Sequence, residues 1–196
     1  MGGDYNAGSI FYISPSSIYL ETAYSFPVEN EGKSPYYTNL LQASNGKIYG
    51  MTSDGGINNA GVLFEYDSAS EKMIKLLDFH DTLGSSPRGS LIQASNGRLY
   101  GMTYEGGEHN MGVIFEYDID KDSISVKFSF DNFLGKFPYG NLTEAWNGKL
   151  YGMTSQGGSN NLGVLFEFDI AADTLTYQST LVNVVEVGTP RKSFMG

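Results

Sequence analysis

Short apolar runs alternate with polar and glycine-rich turns along the whole chain. In one representative stretch the runs are SLIQAS (90–95), RLYGMT (98–103), VIFEYD (113–118) and ISVKFSF (124–130). Runs of this length, rich in β-branched and aromatic residues and bounded by turn residues, predict β-strands. No window shows an apolar period of about 3.6 residues over roughly ten positions, so the pattern predicts an all-β protein.

The turn between the first two runs is an Asn-Gly pair, at 45–46, 96–97 and 147–148. Asn-Gly between apolar runs is typical of a two-residue type I′ hairpin, which needs a positive φ at both residues. The sequence therefore predicts a tight hairpin there, with left-handed backbone at the Asn as well as at the Gly.

The same unit is repeated along the chain. NGKIYGMTSDGGINNAGVLFEYD at 45–67 has near copies at 96–118 and 147–169, and the step between copies is 51 residues. A fixed period of this kind indicates one repeat architecture. The equivalent apolar and glycine positions are Leu40, Leu91 and Leu142; Gly50, Gly101 and Gly152; and Phe64, Phe115 and Phe166.

The chain begins and stops partway through a unit. GGDYNAGSIFYIS at 2–14 matches the second half of the unit, and VGTPRKSFMG at the C-terminus resembles its start. We therefore expect an excerpt of a longer protein, or a mature product, that forms one repeat domain over 1–196. Its parts are the first unit, a fragment (2–27), the second unit (38–79), the third (89–130), the fourth (140–181) and a partial strand (190–195).

Four-stranded units with a period of roughly 40–50 residues are typical of β-propeller blades. One small sheet has two apolar faces and cannot bury both alone, whereas blades stacked around an axis cover each other. The pattern predicts a β-propeller, with two alternatives for its size. Residues 190–195 supply the first strand of the fragment and close a ring of about four blades. Otherwise the chain is an arc of a larger ring, whose exposed blade faces favour homo-oligomers.

The motif NGKIYGMT…GG…GVLFEYD resembles the kelch repeat, although here Gly-Met-Thr precedes the double glycine and no Trp follows Tyr-Asp. It is more similar to the Gloeo-Verruco (GloVer) tandem repeat, which reads Asn-Gly-x-Leu-Tyr-Gly-x-Thr, Gly-Gly, then Gly-x-x-Phe-Glu. Residues 45–67, 96–118 and 147–169 match that pattern, and 2–14 match its second half. The resemblance implies large exported bacterial proteins with varied anchoring signals, a propeller-like fold and no assigned catalytic residues.

Composition narrows the possible partners. The formal net charge is −10 with 12 Lys and Arg, which disfavours binding to nucleic acid or to anionic membranes. The chain has no Cys and two His, so we expect no disulfide, metal site or cofactor. No apolar run approaches the roughly 20 residues of a membrane helix, so membrane insertion is not expected.

Candidate binding residues stand where the copies disagree. In a propeller, the loops between strands two and three and between blades emerge on one face, near the axis. Tyr and Arg are enriched at recognition surfaces, and Tyr faces suit sugar rings. The sequence thus predicts a binding rim that contains Tyr5, Tyr36, Tyr37, Arg88, His109 and Tyr139.

Residues shared by the three complete units are expected to build the units, although the first unit has Tyr12 in place of the glutamate. These are the glycines at 50, 101 and 152, the glutamates at 65, 116 and 167, and the aspartates at 67, 118 and 169.

Hydrolase motifs such as G-x-S-x-G and H-E-x-x-H are absent from the sequence. We therefore expect a non-catalytic binding or scaffold module of an exported bacterial protein, with a glycan or protein partner. The alternatives are a glycan-active enzyme that uses carboxylates near the axis, and a structural spacer.

Overall fold

The computed structural model describes residues 2–14, 19–27 and 30–180. Within these residues all regular structure is β, which confirms the predicted all-β class. The predicted strand at 190–195 and residue 181 lie outside the described residues. The strands are β1 (Ser9–Ile13), β2 (Leu20–Ser25), β3 (Gly32–Lys33), β4 (Leu41–Gln42), β5 (Ile48–Thr52), β6 (Asp54–Gly55), β7 (Val62–Asp67), β8 (Lys72–Asp78), β9 (Ile92–Gln93), β10 (Leu99–Thr103), β11 (Val113–Asp118), β12 (Ser123–Ser129), β13 (Lys136–Pro138), β14 (Thr143–Glu144), β15 (Lys149–Gln156), β16 (Val164–Asp169) and β17 (Thr174–Thr180).

Each later unit folds into one antiparallel sheet whose strands follow chain order. The second unit forms β4-β5-β7-β8, the third forms β9-β10-β11-β12, and the fourth forms β14-β15-β16-β17, with β13 added to β15. The first unit forms the two-stranded sheet β1-β2, and β3 pairs with β6. The described sheets form an open series and do not close into a ring.

The hairpin at each Asn-Gly pair differs from the predicted type I′ turn. In the third unit, Ala94 N donates to Arg98 O and Gly97 N donates to Ala94 O, at 3.0 Å and 2.8 Å. The loop therefore has three residues, of which Gly97 has a φ of +84° while Asn96 keeps a negative φ. This is a type I turn followed by a left-handed glycine. The Asn96 side chain supports it by accepting from Arg98 N at 3.0 Å.

The hydrophobic core lies between consecutive sheets, because the middle strands are covered on both faces. All five residues of β10 and the first five of β11 are buried. Three apolar clusters join the first unit to the second, the second to the third, and the third to the fourth. No helix long and apolar enough to cross a membrane occurs within the described ranges.

The repeated glycine of the second strand makes room for an aromatic ring. Gly101 pairs with Phe115 across β10 and β11, and Phe115 is fully buried. A Cβ on Gly101 would lie 2.5 Å from Phe115 Cζ and 3.0 Å from Leu91 Cδ2. Gly50 and Gly152 face Phe64 and Phe166 in the same way. The glycine is therefore required by ring packing.

Candidate functional site

The first strands of successive units lie side by side. Asn39 N donates to Ser90 Oγ at 2.6 Å, and Ser90 N donates to Asn141 Oδ1 at 2.7 Å. Gly140 N also donates to Arg88 O at 2.9 Å. These bonds join equivalent positions of the second, third and fourth units. As a result, the residues just before the three first strands converge on one surface.

Three of the predicted rim residues, Tyr37, Arg88 and Tyr139, occupy the same repeat position in successive units and meet on this surface. The rings of Tyr37 and Tyr139 are edge to face, with centroids 5.5 Å apart. The Arg88 guanidinium lies 3.8 Å from the ring centroid of Tyr104 and 5.8 Å from that of Tyr37. Tyr36 adjoins Tyr37 at 6.1 Å. Four predicted rim residues are thus brought together.

The structure adds two residues that the predicted rim lacked. Tyr104 lies 6.4 Å from the ring of Tyr139, and Phe137 is stacked on Tyr104 at 5.1 Å. Tyr104 stands where the other copies have Ser53 and Ser155. Because this repeat position differs between the copies, the criterion that selected the other rim residues applies to Tyr104 as well. We call the whole set the tyrosine–arginine cluster, namely Tyr36, Tyr37, Arg88, Tyr104, Phe137 and Tyr139.

The cluster is held by backbone contacts between units. Phe137 has a φ of +55°, which is uncommon for a bulky residue. Its N–H donates to Met111 O in the preceding unit at 2.8 Å, so the conformation of Phe137 is fixed by a neighbouring unit.

Three tyrosines of the cluster are exposed to solvent. The exposed fractions of Tyr36, Tyr37 and Tyr139 are 54%, 48% and 44%. The pKa of Tyr139 is raised, first by partial loss of solvent and then by the adjacent Tyr37. The cluster is therefore an ordered aromatic surface open to solvent.

Tyr5 and His109 do not join the cluster. Each lies in the loop that precedes the third strand of its unit. The residue before it donates its N–H to a serine at the end of the fourth strand. Asp4 N donates to Ser25 Oγ, and Glu108 N to Ser129 Oγ, both at 3.3 Å. These bonds draw the loops toward the outer strands. His109 instead lines a cavity of about 400 Å³ with Met111, Asp131, Asn132 and Phe133.

The glutamates that recur in the three complete units are engaged by neighbouring side chains. Glu116, 7% exposed, accepts from Tyr100 Oη and from Arg98 Nη1, the latter at 2.9 Å. Asn96 Nδ2 donates to Tyr100 Oη at 2.9 Å. Burial, followed by the bond to Glu116, raises the pKa of Tyr100. This Asn–Tyr–Glu network therefore fastens the hairpin to the third strand.

The same network recurs in the other complete units. Tyr49 Oη donates to Glu65 at 2.9 Å, and Tyr151 Oη donates to Glu167 at 2.5 Å. Burial raises the pKa of Tyr49 to about 12. Across residues 2–14, 19–27 and 30–180, no three His, Asp or Glu side chains are grouped so as to hold a metal ion. These glutamates have structural partners in each unit.

Comparison with solved structures shows a shared fold. TolB from Acinetobacter baumannii superposes with a TM-score of 0.55 at 16% identity, over 86% of this chain and 37% of that one. The extracellular domain of the BT4673 system from B. thetaiotaomicron gives a TM-score of 0.57 at 17% identity, over 87% and 20%. The chain thus spans about a third or less of these proteins. The comparison with curated protein sequences found no match.

The repeat motif itself assigns the family. The family model described as the Gloeobacter/Verrucomicrobia repeat matches residues 1–196, which includes the partial units at both ends. This confirms the resemblance drawn from the Asn-Gly, Tyr-Gly-Met-Thr and Gly-Gly motifs. The chain belongs to the Gloeobacter/Verrucomicrobia repeat family.

Proposed function

We propose that this chain is a non-catalytic binding module of an exported bacterial protein, and that the tyrosine–arginine cluster receives a glycan or a protein partner. The observation that carries the proposal is the convergence of Tyr37, Arg88 and Tyr139 from three successive units. Exposed Tyr and Arg gathered on one ordered surface are the composition of binding hot spots. The repeated carboxylates support a non-catalytic role, since they bond to Tyr, Lys and Arg within their own units.

We propose further that the units are blades of a β-propeller, here an arc. Support comes from two features of the contacts between units. First strands bond to first strands, as in the pair Ser44 N to Gln93 Oε1 at 2.8 Å and the pair Ser95 N to Glu144 Oε2 at 2.8 Å. Apolar clusters fill the space between the sheets. Export is supported by the extracellular domains among the similar structures.

The test is a screen of the purified chain on glycan and peptide arrays, repeated with a Tyr37→Ala, Tyr139→Ala double variant. We expect at least one ligand whose binding the double variant weakens about tenfold or more, because truncated aromatic hot spots cost about 2 kcal/mol or more. Tyr177→Ala is the matched control, since Tyr177 is 57% exposed on the outer strand β17.

Two outcomes would contradict the binding module. One is that every ligand found binds the double variant as tightly as the wild type, while the double variant and Tyr177→Ala both keep the wild-type circular dichroism spectrum. The other is turnover of a glycan that survives the double variant and is abolished by replacing a carboxylate.

We propose that the free chain self-associates through β1. β1 is the third strand of the first unit. The third strands of the later units, β7, β11 and β16, pair on both sides, whereas β1 pairs only with β2 in the described residues. Phe11 occupies the position of Phe64, Phe115 and Phe166 in the repeat. It is 59% exposed, while those rings are at most 1% exposed. A cavity of about 330 Å³ beside Phe11 is lined by Ile10, Phe26, Leu40 and Phe64. A second copy would cover this edge.

Sedimentation velocity tests this edge. We expect the wild type to form concentration-dependent oligomers and Phe11→Lys to shift it to monomer, because a charge on an open edge opposes strand pairing. Ile74→Lys is the control, as Ile74 is 52% exposed on the outer strand β8. A wild type that is monomeric at high concentration, or oligomers that persist in Phe11→Lys, would refute the β1 interface.

A further inference from the structure

Arg88 differs from most of the other cations in its electrostatic surroundings. Within the described ranges, no Asp or Glu oxygen lies within 4.0 Å of its guanidinium nitrogens. Its Nε is also buried without a hydrogen-bond acceptor. The cations that do have a carboxylate within that distance are Lys47, Lys75, Arg98, Lys121, Lys127 and Lys149.

Aromatic rings hold Arg88 in place of a carboxylate. The guanidinium lies 3.8 Å from the centroid of Tyr104, whose negative ring face attracts the cation. This contact lies over the ring face and uses none of the guanidinium N–H donors. A guanidinium with free N–H donors binds a carboxylate through two parallel hydrogen bonds. Arg88 therefore keeps donors for an acceptor that the described residues do not supply.

The rings around Arg88 offer a second kind of contact. Tyr37 and Tyr139 are each about half exposed and meet edge to face, so part of each ring remains open to a ligand. The C–H groups on one face of a pyranose ring carry slight positive charge and pack against the negative face of an aromatic ring. A sugar with a carboxylate would contact the tyrosines and Arg88 together.

The net charge limits how many carboxylates that ligand carries. At −10 the chain repels extended polyanions, so a ligand with a carboxylate on every sugar would be disfavoured. We infer that the tyrosine–arginine cluster binds a largely neutral oligosaccharide that carries one uronic acid, with its carboxylate on Arg88 and its sugar rings on Tyr37 and Tyr139. The inference rests on the proposed binding function and adds the chemical class of its ligand.

Calorimetric titration with two oligosaccharides tests this inference. The probes are a xylo-oligosaccharide that carries one glucuronic acid and the unsubstituted oligosaccharide of the same length. We expect the acidic probe to bind about tenfold more tightly, since it alone offers a carboxylate that accepts charge-assisted hydrogen bonds from Arg88. Arg88→Gln should remove that difference, and Tyr139→Ala should weaken binding of both probes. Lys72→Gln, which removes one exposed positive charge from β8, should change neither.

The outcomes separate this inference from the proposed function. Equal binding of the two probes, or a preference for the acidic probe that survives Arg88→Gln, would overturn the uronic acid inference and leave the binding module intact. Failure of both probes to bind the folded wild type would also overturn it. The binding module itself fails on the two outcomes given for it above, namely an array screen with no ligand that depends on Tyr37 and Tyr139, or carboxylate-dependent glycan turnover that survives their loss.

Discussion

Replacing Gly101 with alanine is expected to destabilise the chain by about 2–3 kcal/mol, through overpacking alone. Gly101 has no positive φ, so its backbone accepts any residue, but the new methyl would lie 2.5 Å from Phe115 Cζ. Phe115 is fully buried between sheets and cannot move away without displacing its neighbours. Urea unfolding followed by circular dichroism measures the change.

Two further variants identify the cause of the Gly101→Ala effect. The double variant Gly101→Ala, Phe115→Leu should lose less stability than the sum of its parts, because the shorter side chain leaves space for the methyl. Gly97→Ala lies in the hairpin of the same unit, where no atom lies within 4 Å of the added Cβ. That control should cost only about 1–2 kcal/mol, from its φ of +84°. Additive losses in the double variant would show that ring packing does not explain the glycine.

Replacing Glu116 with alanine is expected to cost about 2–3 kcal/mol, because it leaves the buried hydroxyl of Tyr100 without its acceptor and leaves Arg98 with Asp118 as its remaining carboxylate. Tyr100 is fully buried, so water does not replace the lost bond. Thermal and urea unfolding at neutral pH measure the loss. Glu108→Ala removes the same charge from an exposed loop position and should leave stability within about 0.5 kcal/mol of wild type.

A second substitution distinguishes an unpaired hydroxyl from lost packing. Tyr100→Phe removes the hydroxyl that Glu116 accepts from, so the Tyr100→Phe, Glu116→Ala double variant has no unpaired tyrosine. It should be no less stable than Glu116→Ala alone. If the double variant is instead destabilised by the full sum of the single losses, the Tyr100–Glu116 bond does not hold the hairpin to the third strand.

The fold could be predicted because the repeat presents the same pattern several times. The bounds of β11, Val113–Asp118, equal those of the apolar run in the sequence. The turn at Asn96-Gly97 was predicted wrongly, since the same dipeptide fits both a two-residue and a three-residue loop. What decides between them is the bond from Ala94 N to Arg98 O, a choice of register that the dipeptide does not encode.

The candidate site was predictable only in part, for a physical reason. Tyr37, Arg88 and Tyr139 precede first strands, and first strands converge whenever such units stack in series. The positions of Tyr5 and His109 depend on which neighbouring side chains bond to a Gly-rich loop. For His109 this bond is the one from Glu108 N to Ser129 Oγ, 21 residues away. A weak polar contact at that separation leaves no periodic signal in the sequence.

The ladder of first strands also bears on how such a chain gains and loses length over evolutionary time. Ser44 N donates to the side-chain oxygen of Gln93, and one unit further Ser95 N donates to a side-chain oxygen of Glu144. Loss of one 51-residue unit by recombination between the near-identical copies would set Ser44 against Glu144, a pairing that Ser95 already makes. Such a loss would therefore preserve the contact between neighbouring first strands. Its cost falls on the repeat position of Tyr37, Arg88 and Tyr139, where only the third unit supplies an arginine.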